Sequence, residues 1–145
     1  MKLFFDTNVL IAAVIESHVH HLKAFTLLER VQSGMDQGVI SAHSLAEMYA
    51  VLTKAPLPVK HTPEQALLSI EENIVKYFQI VVLSASEYRS LIRESAIAGL
   101  QSGMIYDALI LKAATKSGSD KFYTFNSKHF QKMSSPSLNA NILMP

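Results

Sequence analysis

Several features that would place this chain in a particular class of protein are missing. Cysteine is absent, so disulfide bonds and thiolate metal sites are excluded, which suits a reducing compartment. No apolar run approaches the roughly 20 residues of a membrane-spanning helix. Asp6 interrupts the first apolar stretch too early for a signal peptide. We therefore expect a cytoplasmic protein without a membrane segment.

Charge is also scarce. Only 17% of the residues are charged, 49% are hydrophobic, and the formal net charge is +1. This composition excludes a disordered chain, and it gives no overall basic field, so any nucleic-acid binding must use a local patch. The length of 145 residues is typical of one domain, and no repeat or linker divides the sequence. We expect one domain over residues 1–145.

Short apolar segments rich in β-forming residues alternate with longer segments of helical periodicity. The apolar segments are largely continuous rather than alternating, which is typical of strands buried on both faces of a parallel sheet. The predicted strands are residues 2–5, 39–41, 80–83, 122–124 and 141–143. Strands that alternate with helices predict an α/β fold with a mostly parallel sheet, here with two or more helices in the first two connections.

Capping and helix-breaking residues mark the predicted helices. Thr62 with Gln65, and Ser84 with Glu87, match the capping-box pattern of a helix start. The predicted helices are residues 8–15, 20–33 before Gly34, a helix from Ser41 to the prolines Pro56 and Pro58, helices opening at the two capping boxes, and 104–116 before Gly118.

Three acidic residues occur where the apolar pattern least favours a charge: Asp6, Glu47 and Asp107. A buried carboxylate is costly unless a cation or a hydrogen bond compensates it, and no Lys or Arg lies within three residues of Glu47 or Asp107. With Asn126, they follow strands or occupy helices on the edge where the strands' carboxyl ends meet. If these segments converge, the pattern indicates a divalent metal ion and phosphodiester chemistry.

Each acid also has an ordinary structural interpretation. Asp6 can be the N-cap of the short helix that follows it. Glu47 can be a helix residue at the border of a buried face, and Asp107 can stabilise its own helix N-terminus through the helix dipole. The metal interpretation is favoured because all of them fall on one edge of the sheet.

Four short motifs, in order along essentially the whole chain, resemble the PIN-domain family and, within it, the VapC-type toxins of type II toxin–antitoxin modules. The motifs are Asp6-Thr7-Asn8, Ala46-Glu47, Tyr106-Asp107-Ala108-Leu109, and Thr124-Phe125-Asn126 continuing to His129-Phe130. The resemblance implies a three-layer α/β/α sandwich that binds Mg²⁺ or Mn²⁺ and cleaves single-stranded or structured RNA. It also implies a homodimer and a cognate antitoxin protein as partners.

The resemblance assigns Asp6, Glu47 and Asp107 to the metal-binding acidic cluster. Asp6 and Asp107 are expected to be direct ligands, and Glu47 is expected to hold or deprotonate the attacking water. Many family members carry Asp where this chain has Asn126. An amide orients a water or the phosphate but brings no charge, so the choice between one and two metal ions stays open.

Other polar residues are less specific. His18, His20 and His21 suggest a zinc site, but they lack a matching ligand pattern, and a polar loop is the simpler interpretation. His129 is either a phosphate contact or a surface residue. The lysine pairs Lys112 with Lys116 and Lys128 with Lys132 are either solvated helix faces or RNA contacts.

Two other functions stay open. A non-catalytic scaffold that acts through protein contacts would tolerate loss of the acids, and they are present. A metal-dependent phosphatase would need cationic side chains beside the acids to bind a terminal phosphate, and none is adjacent in sequence.

Overall fold

Five short strands form one parallel sheet. A computed structural model describes residues 1–54 and 60–145. Its strands are β1 (Lys2–Phe5), β2 (Gln37–Ser41), β3 (Phe78–Val81), β4 (Lys121–Tyr123) and β5 (Ile142–Leu143). Their order in the sheet is β3-β2-β1-β4-β5, and every neighbouring pair is parallel. The first strand is therefore central, and the chain that leaves its carboxyl end emerges between the ends of β2 and β4.

Helices connect all the strands. They are α1 (Thr7–Val14), α2 (His21–Gln32), α3 (Ala42–Leu52), α4 (Pro63–Ile70), α5 (Ala85–Ile97), α6 (Met104–Ser117), α7 (Ser127–Met133) and α8 (Pro136–Asn139), with a π-helical turn at Glu71–Val75. Both predicted capping boxes are present, and Gly118 ends α6 in a left-handed conformation with φ 62°. The predicted helix end at Pro56 and Pro58 lies outside the described residues. None of the described helices is long and apolar enough to cross a membrane.

The helices cover both faces of the sheet. Successive side chains of a strand point to opposite faces, so Leu3 and Phe5 enter one core and Phe4 enters the other. The first core is completed by α1 to α4, and the second by α5, α6 and α7. This is the predicted three-layer α/β/α arrangement, and it places all the strand ends in the middle layer.

One strand was predicted in the wrong place. Residues 80–83 were expected to form the third strand, whereas β3 is Phe78–Val81. Gln79 interrupts the apolar pattern because it is exposed on an edge strand. Phe78 pairs with Gly38, and a Cβ atom on that glycine would lie 2.6 Å from the Phe78 ring, so the ring occupies the space that the glycine leaves open. The first strand lies where it was predicted, and the bounds of β2, β4 and β5 differ from the prediction by one or two residues.

Candidate active site

Asp6 lies directly after the central strand and is 7% exposed. Its Oδ1 accepts a hydrogen bond from the backbone N of Thr7 at 2.8 Å, so Asp6 does cap α1. Its Oδ2 accepts a hydrogen bond from Oγ1 of Thr124 at 2.7 Å. The carboxylate is thus held by two neutral donors, and no ion pair satisfies it within the described residues.

The pKa of Asp6 is raised from 3.8 to about 6. Burial is the largest cause, because it disfavours the charged form. The hydrogen bonds from Thr124 and Thr7 oppose this rise, while the negative charges of Glu47 and Asp107 add to it. The three acids are therefore close enough to repel one another, although they come from different parts of the sequence.

Glu47 is oriented through both of its carboxylate oxygens. Oγ1 of Thr7 donates a hydrogen bond to its Oε2 at 2.5 Å, and the same hydroxyl lies 3.0 Å from Oγ of Ser44. Nε2 of His43 lies 2.9 Å from its Oε1. Because Thr7 also binds Asp6 through its backbone, one residue connects the first acid to the second. Ser41 caps the N-terminus of α3 and so fixes where this helix begins. The start of the helix in turn sets the positions of His43 and Glu47.

Asp107 lies in the first turn of α6 and also has a histidine neighbour. Its Oδ2 is 3.0 Å from Nε2 of His129 on α7, and both side chains are partly exposed. His129 is therefore a partly exposed residue that also lies beside an acid of the group, and its contact with a phosphate stays a prediction. Two of the three acids thus have an imidazole at hydrogen-bond distance.

Asn126 lies near the group and is linked to it through Thr124 and, by its carbonyl oxygen, through the backbone N of His129. Its backbone N donates to Oγ1 of Thr124 at 3.0 Å, while its exposed side chain makes no hydrogen bond within the described part of the chain. Asn8 joins the two strand ends directly, since its Oδ1 accepts a hydrogen bond from the backbone N of Phe125 at 3.3 Å. The motifs after β1 and β4 thus form one hydrogen-bonded unit.

The donor chemistry suits a hard divalent cation. Within residues 1–54 and 60–145, no three His, Asp or Glu side chains are close enough together to form a ready-made metal site. However, the buried carboxylate of Asp6 faces two further acids without a cationic partner, and carboxylate oxygens are the ligands that Mg²⁺ prefers.

The remaining predicted polar residues lie elsewhere. The histidines near residue 20 do not form a zinc site: Nδ1 of His21 is 3.0 Å from the carbonyl oxygen of Ala12, and His18 and His20 lie against Phe125. Lys112 and Lys116 form ion pairs with acids on α5. Both lysines are therefore occupied by partners away from the three acids.

The sequence analysis missed some residues that hold the site together. It quoted Thr7 and Thr124 as parts of motifs without giving them a role in the site, and it did not consider His43. For His43 a signal existed, because residues four apart on a helix lie on the same face, and Glu47 is four residues later. For Thr124 no local signal existed, since its bond to Asp6 spans 118 positions.

The fold and the acids at the end of its central strand define a known class of protein. The sequence model of the PIN domain family matches residues 3–135, and the chain belongs to this family. Within the family it resembles the VapC ribonucleases. Ribonuclease VapC40 of Mycobacterium tuberculosis is 31% identical over 114 residues, which cover 78% of each chain. Ribonuclease VapC27 of the same organism is 27% identical over 111 residues, covering 77% of this chain and 75% of the relative.

Solved structures share the fold. VapC20 of Mycobacterium tuberculosis, described as a toxin that cleaves the sarcin–ricin loop, has a TM-score of 0.68 and 15% identity over 91% of this chain and 95% of its own. VapBC2 from Rickettsia felis, bound to a DNA fragment from the promoter, has a TM-score of 0.66 and 22% identity over 100% of this chain and 99% of its own.

Proposed function

We propose that residues 1–145 form one PIN nuclease domain that cleaves RNA with the help of Mg²⁺ or Mn²⁺, and that the protein is the toxin of a type II toxin–antitoxin module. The carrying observation is Asp6, a buried carboxylate whose pKa is raised to about 6 by burial and by two neighbouring acids. The names of the VapC ribonucleases to which the chain is similar support RNA as the substrate.

The three acids would hold the metal ion, with Asp6 and Asp107 as direct ligands. When bound, the ion supplies positive charge to the scissile phosphate and lowers the pKa of the attacking water. The protein's own hydrogen bonds prepare this arrangement. Thr124 and the backbone of Thr7 fix the carboxylate of Asp6, so little side-chain entropy is lost when a ligand binds.

Glu47 is assigned to hold or deprotonate the attacking water. Thr7 contacts one of its carboxylate oxygens and His43 contacts the other, so the carboxylate has a defined orientation. Asn126 is assigned to orient the phosphate or a water through its exposed side-chain amide. His129 positions Asp107 through the contact between Nε2 and Oδ2.

A phosphatase acting on small phosphoesters is less well supported. Such an enzyme needs cationic side chains to bind a terminal phosphate beside the acids. Nζ of Lys112 lies 3.3 Å from Oε1 of Glu94, and Nζ of Lys116 lies 2.7 Å from Oε2 of Glu87. These two lysines of α6 therefore contact α5 instead. A non-catalytic scaffold would have no need for hydrogen bonds that orient each carboxylate.

The proposal is tested by incubating the purified protein with single-stranded and structured RNA, with Mn²⁺ or with a chelator. We expect metal-dependent cleavage, and we expect Asp107→Asn to reduce its rate by at least about 100-fold. Asp120→Asn is the matched control, because Asp120 accepts a hydrogen bond from the backbone of Lys2 at the opposite edge of the sheet.

Expression in cells gives a second test of the toxin assignment. Wild-type protein should slow growth, and Asp107→Asn should not. If the wild type cleaves no RNA with Mn²⁺ and does not slow growth, the scaffold becomes the better explanation.

We also propose an antitoxin partner that covers the three acids, with a basic side chain placed against them. The Rickettsia structure of a VapBC pair supports the existence of such a partner. An antitoxin that inhibits from a surface remote from Asp6, or that binds Asp107→Asn as tightly as wild type, would contradict this arrangement.

A homodimer is proposed through an apolar face of α5. Tyr88 and Ile92 lie one turn apart on this helix and are exposed, Ile92 to 60%. Beside them, a cleft of about 610 Å³ between α5 and α6 is lined by Leu91, Leu111 and other residues. Large exposed apolar patches commonly mark an interface, and a two-fold dimer is the commonest closed arrangement.

Light scattering of the wild type should give a dimer mass at micromolar concentration. Ile92→Lys should give a monomer, whereas Leu22→Lys, at an exposed leucine of α2, should remain dimeric. A monomer mass for the wild type would contradict the dimer.

A further inference from the structure

A pair of stacked rings lies beside two of the acids. The rings of His43 on α3 and Tyr106 on α6 are nearly parallel, with an interplanar angle of 7° and centroids 5.1 Å apart. His43 contacts Glu47, and Tyr106 immediately precedes Asp107. Tyr106 is 52% exposed. This first platform (His43 and Tyr106) therefore joins the two helices that carry acids and presents an open aromatic surface to solvent.

A second ring pair follows the β4 strand. The rings of His20 and Phe125 are 4.5 Å apart at 21°, and His18 lies next to them at 6.4 Å from Phe125. Phe125 follows Thr124, whose hydroxyl holds Asp6, and the half-buried rings stay accessible at the surface. His20 and Phe125 form the second platform.

The two platforms lie on opposite sides of Asp6. In the sheet, β1 lies between β2 and β4. His43 comes two residues after the end of β2, Asp6 follows β1, and Phe125 comes two residues after the end of β4. A polynucleotide that places one phosphate at Asp6 and runs along this edge of the sheet therefore meets a platform on each side.

RNA binding at this site needs a contribution from base stacking, because few positive charges are available to bind phosphates. The net charge is only +1, and no Lys or Arg forms an ion pair with the three acids within the described residues. Phosphate contacts alone would therefore give weak RNA binding next to acids that repel the backbone. Unpaired bases stack on aromatic side chains, including histidine, whatever their sequence, whereas bases inside a duplex are already stacked on each other.

We propose that the two platforms stack the unpaired bases on either side of the scissile phosphate. This rests on the proposed ribonuclease function and adds the side chains that bind the nucleotides on each side of the cleaved bond. Tyr106 and Phe125 then act in substrate binding and leave the chemical step to the acids. A base-paired stem is not a substrate, because its bases are stacked on each other and reach the two platforms only if the stem melts.

The test uses the full chain and a short single-stranded RNA that carries 2-aminopurine on one or the other side of the mapped cleavage site. Binding is measured with Asp107→Asn as the background, so that the RNA stays intact. Stacking quenches the 2-aminopurine fluorescence. We expect Tyr106→Leu to remove the quenching on one side, Phe125→Leu to remove it on the other, and each to weaken binding by about 10-fold.

Matched variants separate stacking from folding. Tyr106→Phe keeps the ring and should bind RNA as the parent does. Tyr77→Leu removes a partly exposed tyrosine that immediately precedes β3, at the amino edge of the sheet, and should have no effect. Because Phe125 packs against the core, His20→Ala provides a second variant of that platform. In the active protein, Tyr106→Leu should raise KM for cleavage by about 10-fold and leave kcat within about threefold.

The outcomes distinguish the two proposals. If the wild type cleaves RNA but Tyr106→Leu and His20→Ala bind and quench as the parent does, the platforms are refuted and the ribonuclease stands. If these variants weaken only the binding of a cognate antitoxin, the rings belong to a protein interface and the stacking proposal is wrong. If the wild type neither binds nor cleaves RNA, both proposals fail.

Discussion

Two buried aspartates at opposite edges of the sheet show how differently one protein treats the same side chain. Asp36 directly precedes β2 at the amino edge, and Asp6 directly follows β1 at the carboxyl edge; each is 7% exposed. Asp36 accepts a hydrogen bond from Nε of Arg30 at 2.6 Å, which lowers its pKa. Asp6 has no cation, and its pKa is raised to about 6. The two carboxylates thus differ in two ways: Arg30 supplies a cation to Asp36, whereas Asp6 has none within the described residues, and burial is the largest cause of the rise in the pKa of Asp6.

The largest expected effect comes from supplying that cation. Saturating Mg²⁺ or Mn²⁺ should stabilise the folded protein by about 3 kcal/mol at one hundred times its Kd, which is a rise in Tm of about 5–10 °C. Asp6→Asn should lose most of this rise, and Asp36→Asn should keep it. Calorimetric titration and thermal unfolding measure both. Equal shifts in the two variants would remove the distinction between the aspartates.

A smaller effect is expected from breaking the ion pair of Asp36. Asp36→Asn should lower the free energy of unfolding by about 1–2 kcal/mol near neutral pH, a value reduced because the Arg30 side chain is partly exposed. The pKa of Asp36 is lowered on folding, so its contribution is present above the unfolded value near 3.8 and is lost as the pH falls through the lower folded value. Urea unfolding of both proteins at several pH values tests this, and a difference that is constant down to the lowest pH would contradict it.

The smallest effect is the opposite pH dependence of Asp6 in the metal-free protein. Its folded pKa of about 6 exceeds the ordinary value of 3.8, so the folded protein binds more protons between these values. Its contribution to stability is therefore complete below the unfolded pKa and is lost as the pH rises through about 6. Between about pH 7.5 and pH 5, the wild type should gain about 1 kcal/mol relative to Asp6→Asn in chelator. A gain of the wrong sign would show that Asp6 is stabilised as a carboxylate.

The sequence was sufficient to locate the acids but not their partners. Asp6, Glu47 and Asp107 stand out because charge is rare in apolar segments, and parallel strands bring their carboxyl ends to one edge. The pairing of His43 with Glu47 follows from helical spacing and could have been predicted. The contact between His129 and Asp107 joins α7 to α6 and depends on how those helices pack, which local periodicity does not determine.

The strands also divide into those that the apolar pattern locates and one that it misplaces. Continuous apolar residues located β1 correctly, because both of its faces are buried. The edge strand β3 includes the exposed Gln79, so the apolar pattern pointed to residues two positions too late. The role of Asn126, and the metal-binding roles of the acids, stay predictions.

The order of synthesis determines when the hydrogen bond between Thr124 and Asp6 can form. The central strand is synthesised first, yet one of its two neighbours, β4, and the threonine that fixes the first acid come 118 residues later. A chain that is still growing therefore lacks one side of the site until residues 121–126 have joined the sheet, and contacts so distant in sequence form late because a long loop must close. A ribosome-bound chain that has not yet reached residues 121–126 therefore has Asp6 without the hydroxyl that holds its Oδ2.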